Sequence, residues 1–149
     1  MALLVINEWL PEDSSGINGQ SNQRDALIVM SRLAVSEHQL VIVESSPFEQ
    51  KFWNLCKNNV DIAVRGIVRA YLLGLRGNQD RCRILRPDEL AVVPPALLSA
   101  TKADDHYLLH AQQTVPEAII VTTDIPLRAA VTDAGLACIS REQFLSAYF

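Results

Sequence analysis

Short apolar runs alternate with longer segments of helical periodicity along the whole chain. There are five such runs, at 2–6, 40–43, 82–85, 119–122 and 137–139, and most of them are rich in Leu, Ile and Val. Runs of this length are typical of strands that are covered on both faces of a parallel sheet. The pattern therefore predicts five buried strands separated by helices.

The segments between the runs predict the helices. The clearest has apolar residues at helical spacing from Val60 to Leu75 and ends near Gly74 and Gly77. A capping box, Ser140 to Gln143, starts the last helix. Further helices are expected over 22–37, from Ser46, over 103–113 and from Asp124 to near Gly135, whereas the Pro-, Ser-, Gly- and Asn-rich range 11–22 predicts a loop.

This alternation predicts an α/β fold. We expect a three-layer α/β/α sandwich with a central parallel sheet of about five strands. The chain has 149 residues, about the length of one domain, so we expect a single domain over 1–149. In such folds the functional site lies beyond the carboxyl ends of the strands.

Acidic residues stand at four places that this topology brings to the carboxyl edge of the sheet. Glu8, beside Asn7, follows the first strand, and Glu44 follows the second, with Glu49 one turn into the next helix. Asp104 and Asp105 open the helix at 103–113, and Asp124 follows the fourth strand. Carboxylate oxygens are the ligands that Mg²⁺ and Mn²⁺ prefer. As a set, these residues predict a metal site.

Each acid alone also has a structural interpretation. Asp104 can complete a capping box whose cap is Thr101, and Asp105 can favour the positive end of the helix. Asp124 is a good N-cap, with Pro126 just inside the helix that follows. The functional interpretation therefore depends on the acids meeting in one place.

The charge distribution adds a second candidate feature. The net charge of −4 does not indicate a nucleic-acid-binding protein, but six of the ten arginines lie between Arg65 and Arg86. Such a cluster can bind phosphates on an acidic protein, or it can be an ordinary solvated surface. Arg65 and Arg69 are one helical turn apart on the polar face of their predicted helix.

The residues from Asp104 to Ala111, from Ile120 to Leu127, and from Gly135 to Leu145 resemble the C-terminal half of a PIN domain. The shared pattern is an Asp that opens a helix, an apolar strand that ends in Thr-x-Asp, and a final strand and helix. The first strand and the stretch Ser46–Glu49 resemble the N-terminal half more loosely. The resemblance spans nearly the whole chain, but only about the last 45 residues are specific.

PIN domains are metal-dependent RNA nucleases, common as toxins of toxin–antitoxin pairs. By this resemblance Asp104 takes the third acid position, with Asp105 as the alternative, because both registers put a Leu one helical turn on. Asp124 takes the fourth position and Glu49 the second. The first position, usually Asp, holds Asn7, which can ligate a metal through its carbonyl but brings no charge; Glu8 is adjacent.

The resemblance implies an endoribonuclease that hydrolyses RNA phosphodiesters with Mg²⁺ or Mn²⁺ bound among these residues. Thr122 and Thr123 would donate hydrogen bonds to a phosphate or to the carboxylates. Arg65 and Arg69 would hold the backbone of single-stranded RNA, so that binding falls with salt. An antitoxin partner and a homodimer are further expectations from the habits of the family.

Two other functions compete with this interpretation. The first is a catalytically inactive PIN-like domain that binds RNA or a protein partner, which Asn7 favours. The second is a receiver-type signalling domain, which needs a lysine near the acidic site. Lys102 is the only lysine in the later part of the chain, and it does not end a strand. A zinc site at His106 and His110 lacks a third ligand.

The remaining composition bears on location. The three cysteines, Cys56, Cys82 and Cys138, are odd in number and far apart, which suggests a reducing cytoplasm. No apolar run approaches the roughly 20 residues of a membrane span, so no membrane association is expected.

Overall fold

The computed structural model describes residues 1–57 and 61–149. Within these ranges a single five-stranded sheet forms, and all of its strands are parallel. The strands are Leu3–Ile6 (β1), Gln39–Val43 (β2), Cys82–Leu85 (β3), Ile119–Thr122 (β4) and Cys138–Ser140 (β5). They coincide with the five apolar runs of the sequence to within a residue or so, and the predicted α/β fold is confirmed.

The strand order is β3-β2-β1-β4-β5, which puts β1 in the centre of the sheet. Leu4 of β1 is in register with Leu40 of β2 and with Ile119 of β4. Because every strand runs in the same direction, the carboxyl ends of β1 and β4 lie side by side, at Ile6 and Val121. Residues 7–8 and 122–124 therefore leave the sheet next to each other.

Helices cover both faces of the sheet. The α-helices are Trp9–Ser14 (α1), Gln20–Val35 (α2), Pro47–Lys57 (α3), Ile62–Arg69 (α4), Pro95–Ser99 (α5), His106–Thr114 (α6), Ile125–Asp133 (α7) and Arg141–Tyr148 (α8). A π-helix, Ala70–Arg76, continues α4, and two short 3₁₀ turns lie at Pro87–Glu89 and Ala103–Asp105. No helix of the described ranges combines the length and the apolar character that crossing a membrane requires.

Two apolar cores lie on opposite faces of the sheet, which makes the fold a three-layer sandwich. Leu4 and Ile6 of β1 face one core, with Phe52 and Tyr71, whose rings stack at 3.9 Å. Val5, between them in the strand, faces the other core. This alternation is what a strand covered on both faces produces, because successive side chains point to opposite sides.

The loop expected over 11–22 is wrong at both ends, because α1 covers 11–14 and α2 begins at Gln20. Helix α1 runs through Pro11, which stands in the first turn, where a missing N–H costs no hydrogen bond. Trp9 and Leu10 are buried, and the Trp9 indole N–H donates to the Val121 carbonyl at 3.2 Å. Tertiary burial therefore forms a helix that the local composition did not indicate.

The regular helix predicted up to Leu75 changes pitch at Ala70. The N–H of Gly77 donates to the Leu72 carbonyl at 2.8 Å, a bond that spans five residues and defines the π-helical turn. Gly74 lies against α2, and a Cβ there would be 3.2 Å from the Cβ of Ala34. The start of the predicted helix, Val60, lies outside the described residues.

Candidate functional site

The ends of β1 and β4 are tied together by side chains at the carboxyl edge. Asn7 is buried, and its Nδ2 donates to Thr122 Oγ1 at 2.7 Å. The same Thr122 oxygen accepts from the Asp124 backbone N–H at 3.0 Å. Thr122, predicted to donate to a phosphate or carboxylate, is itself fully buried, so it shapes the turn that carries Asp124.

Asp105 and Asp124 line one small pocket at this edge, about 170 Å³ in volume, together with Thr101 and Lys102. Burial raises the pKa of the Asp105 carboxyl above its ordinary value, and the charge of Asp124 raises it further, while Lys102 opposes the shift. Asp124 also caps α7, since one carboxylate oxygen accepts from the Leu127 N–H at 3.0 Å. Two like charges therefore lie close together.

The structure separates the two adjacent aspartates that the sequence left as alternatives. Asp105 is 7% exposed and lines the pocket, whereas Asp104 is exposed and does not line it. Thr101 does not form the capping box suggested for Asp104, because its hydroxyl donates instead to the carbonyls of Leu97 and Leu98. Asp105 is thus the residue brought to Asp124.

Glu8 belongs to the same acidic edge. It precedes α1, and its carboxylate lies 3.4 Å from the Lys51 ammonium, which also bonds Glu12. Burial raises the pKa of Glu8, with Lys51 opposing the shift and with Glu12 and Asp105 adding to it. The carboxylates of Asp105 and Glu8 therefore repel each other electrostatically.

Tyr107 is a further neighbour of this edge. Its hydroxyl lies 3.5 Å from Asn7 Oδ1, and burial raises its pKa well above the ordinary value, with Glu8 and Asp105 adding to the shift. Lys51 and Tyr107 therefore also lie at this edge. Sequence analysis did not assign Lys51 to the site, since it lies 43 positions from Glu8.

Glu49 has different partners. The side chain is 4% exposed, and its Oε1 accepts from Arg76 Nη2 at 2.8 Å and from Trp53 Nε1 at 3.1 Å. The Arg76 guanidinium also lies over the Trp53 ring, 5.2 Å from its centroid. Burial raises the pKa of Tyr71, the charge of Glu49 raises it further, and the charge of Arg76 opposes the shift. The ion pair with Arg76 competes with the predicted role of Glu49 as a metal ligand.

The predicted RNA-binding residues lie on the surface. Arg65 and Arg69 are exposed on α4, which packs against α3, and Thr123 is exposed between β4 and α7. Arg76 and Arg86 of the same cluster form ion pairs, with Glu49 and with Asp88 at 3.9 Å, and Arg81 donates to the Ala34 carbonyl at 3.3 Å. Arg65 and Arg69 are therefore accessible to solvent, and their binding of an RNA phosphate stays a prediction.

The described ranges contain no group of three or more His, Cys, Asp or Glu side chains arranged to hold a metal ion. His106 and His110 are used by the fold, because their rings hydrogen-bond the carbonyls of Leu98 at 3.0 Å and Ala91 at 2.9 Å. The Asp105–Asp124 pair still suits Mg²⁺, which usually keeps several waters and binds through one or two carboxylates and the substrate phosphates.

Comparison with known proteins adds no relative. No protein-family model matches the chain, and no curated protein matches it. The resemblance to PIN domains therefore depends on the residues quoted from the sequence.

Proposed function

We propose that this protein is a metal-dependent endoribonuclease of PIN type, which hydrolyses phosphodiesters of single-stranded RNA at the carboxyl edge of β1 and β4. The observation that supports this most is the pairing of Asp105 with Asp124 in one pocket. Buried like charges destabilise a fold, and they are typical of sites that bind a cation or perform acid–base chemistry.

The donor set fits Mg²⁺ or Mn²⁺. Asp105 and Asp124 would hold the ion, with Glu8 and the Asn7 carbonyl as further oxygen donors on the same edge. A bound divalent ion supplies a water of lowered pKa and neutralises charge that develops on the phosphate.

The chain's own residues position the reaction. Thr122 fixes the backbone of Asp124, and the exposed Thr123 hydroxyl can donate to a phosphate oxygen. Arg65 and Arg69 would bind the RNA backbone electrostatically, without reading its sequence. Asp104 and Glu49 remain predicted ligands of second rank, because Asp104 is exposed and does not line the pocket, and Glu49 is paired with Arg76.

A second candidate function is a catalytically inactive PIN-like domain that binds RNA or a protein. Two observations favour it. Asn7 stands where the family pattern has a carboxylate, and the carboxylates of Glu8 and Glu49 are engaged by Lys51 and Arg76. Under this alternative, the edge binds phosphates or a partner but does not bind a metal ion for hydrolysis.

The biological setting is part of the proposal. We infer a toxin-type or RNA-processing enzyme, with an antitoxin protein and a second copy of the chain as candidate partners. A cytoplasmic location agrees with the three free thiols, since disulfides are rare in a reducing compartment. Burial raises the pKa of the Cys82 thiol to about 12, so this cysteine behaves as a small apolar residue.

The test is cleavage of a mixed-sequence, fluorescently labelled single-stranded RNA in Mg²⁺, Mn²⁺ or EDTA. Asp124→Asn is the first variant to compare, because Asn is an equally good N-cap and preserves α7. We expect cutting that requires the metal and that is lost in the variant. Full cleavage by Asp124→Asn would contradict the proposal, and metal-independent RNA binding without cutting would favour the inactive domain.

A further inference from the structure

Trp53 of α3 is an exposed aromatic side chain that the fold holds in one position. Tryptophan is highly buried on average, but 39% of this residue is exposed. Its indole N–H donates to Glu49 Oε1 at 3.1 Å, and the Arg76 guanidinium lies over the ring, 5.2 Å from its centroid. Glu49 and Arg76 are themselves joined at 2.8 Å. The indole is therefore fixed at its N–H and on one face, while part of its surface stays open to solvent.

A groove of about 400 Å³ opens beside the indole. Trp53 shares the lining of this groove with Gln50, Asn54, Cys56 and Lys57. The amide of Asn54 carries both hydrogen-bond donors and acceptors, and the ammonium of Lys57 carries three donors. The lining thus combines an aromatic ring, an amide and a positive charge, which are the groups that bind an unstacked nucleobase and its phosphate.

The surroundings of the groove are basic. Lys57 is exposed at the end of α3, and α3 packs against α4, on which Arg65 and Arg69 are exposed. Among the described residues, none that lines the groove is acidic. Single-stranded nucleic acid complements such a surface, because its backbone is negative and its bases are free to stack. An apolar protein surface would instead bury these cations without partners, which is unfavourable.

The groove lies on a helix that begins at the carboxyl edge of the sheet. Helix α3 follows β2, so Glu49 in its first turn stands near this edge. Trp53 comes one helical turn later, about 5 Å further along the helix axis. Arg76, which covers one face of Trp53, is the last residue of the π-helix, and π-helical turns are rare and frequently lie at functional sites.

We propose that Trp53 is a nucleobase-stacking site for single-stranded RNA. The inference rests on the proposed function and deepens it, because it names a contact of the same substrate. A base of the RNA stacks on the open part of the indole, the Asn54 amide bonds the edge of that base, and Lys57 binds the neighbouring phosphate. Every base has a π face, so the site binds RNA without strong sequence preference.

The test is binding of a short, mixed-sequence, fluorescently labelled single-stranded RNA in EDTA, where no metal-dependent cleavage intervenes. Loss of one base–aromatic stack weakens binding roughly 5- to 150-fold, and we expect this loss for Trp53→Leu in fluorescence anisotropy. Trp53→Phe keeps an aromatic face and should keep most of the affinity. Leu73→Ala is the matched control, because Leu73 is an exposed apolar residue of the π-helix that does not line the groove, and its affinity should not change.

Tryptophan emission gives a second and more direct reading of stacking. The chain has two tryptophans, and Trp9 is only 3% exposed, so a base from solvent reaches Trp53 alone. We expect the RNA to quench this emission, and an oligomer of the same length with abasic spacers in place of its bases to leave it unchanged. Because this measurement uses the unmodified protein, it decides the proposal even where Trp53→Leu does not fold, as judged by circular dichroism.

Equal RNA affinity of Trp53→Leu and the unmodified protein, or equal quenching by the RNA and the abasic oligomer, would overturn the stacking site and leave the proposed function intact. If Trp53→Leu instead converts a dimer to a monomer in sedimentation, a second copy of the chain covers the ring, which also overturns the stacking site. Absence of RNA binding by the unmodified protein would overturn it as well, and the metal-dependent cleavage assay then decides the proposed function separately.

Discussion

Replacing Arg76 with Met tests the structural role of Glu49. The change removes the guanidinium that lies 2.8 Å from Glu49 Oε1 and leaves a carboxylate that is 4% exposed. Trp53 would remain its partner through a single N–H, at 3.1 Å. An unpaired buried charge is destabilising because the interior solvates it poorly.

The magnitude follows from the burial of the two partners. Removing one partner of a buried ion pair costs about 3–5 kcal/mol, and the partial exposure of Arg76 puts this case near 3 kcal/mol. Loss of the cation–π contact with Trp53 adds about 0.5 kcal/mol. At about 2–4 °C per kcal/mol for a chain of this size, Tm should fall by roughly 7–14 °C.

The assay is urea unfolding followed by circular dichroism, with Arg69→Met as the control. Arg69 is exposed, so its replacement should change the free energy of unfolding by less than about 0.5 kcal/mol. The double variant Arg76→Met/Glu49→Leu replaces the pair with apolar side chains and should recover most of the loss. A loss below about 1 kcal/mol for Arg76→Met would refute the reasoning and restore Glu49 as a candidate metal ligand.

Three further predictions concern the acidic edge and the two arginines of α4. Because burial and Asp124 raise the folded-state pKa of Asp105, Asp105→Asn should be more stable than the unmodified protein at pH 8. This gain in unfolding free energy should shrink as the pH falls and disappear below about 3.9, where Asp105 is protonated in both states; a gain independent of pH would contradict the assignment. Asn7→Asp adds a carboxylate beside Thr122 and should tighten Mn²⁺ binding in calorimetry, whereas unchanged affinity would exclude position 7 from the site. Arg65→Ala with Arg69→Ala should reduce the salt dependence of RNA affinity in fluorescence anisotropy by a slope of about 1–2; an unchanged slope would place the RNA elsewhere.

Local sequence patterns predicted the strands and most helix ends because the interactions that determine them are local. Ser140 caps α8 as expected, since it accepts from Gln143 N–H at 3.0 Å while the Gln143 side chain accepts from Ser140 N–H at 2.8 Å. Asp124 likewise caps α7, with Pro126 in the first turn. The three central strands β2, β1 and β4 are apolar on both faces, whereas the edge strand β3 has the exposed Arg83 on one face.

The parts of the fold that the sequence did not predict depend on distant contacts. Helix α1 exists because Trp9 and Leu10 pack into the core, and the π-helical turn forms where Gly74 meets Ala34 of α2. Neither contact can be predicted from the residues next to it in the sequence. Propensity and periodicity are weak against such tertiary packing.

The sequence predicted the edge at which the candidate residues meet but not which of them meet there, and the site itself stays a prediction. The topology of parallel strands brings Asn7 and Asp124 together whatever their rotamers, so the edge was predictable. The choice of Asp105 over Asp104 depends on the rotation of a single 3₁₀ turn, Ala103–Asp105. The sequence could not make this choice, because each of the two aspartates has a Leu one helical turn on. The pairing of Glu49 with Arg76, 27 positions away, has no local signal.

The most direct test of the account compares metal-dependent RNA cleavage by Asp105→Asn and Asp104→Asn. The two residues are adjacent and chemically identical, and only Asp105 lines the pocket with Asp124. We predict that Asp105→Asn loses more than about 100-fold in cleavage rate in Mn²⁺, beyond the usual loss for a residue that only supports a metal ligand, and that Asp104→Asn cleaves normally. Normal cleavage by Asp105→Asn, or equal losses in both variants, would contradict the assignment of the site.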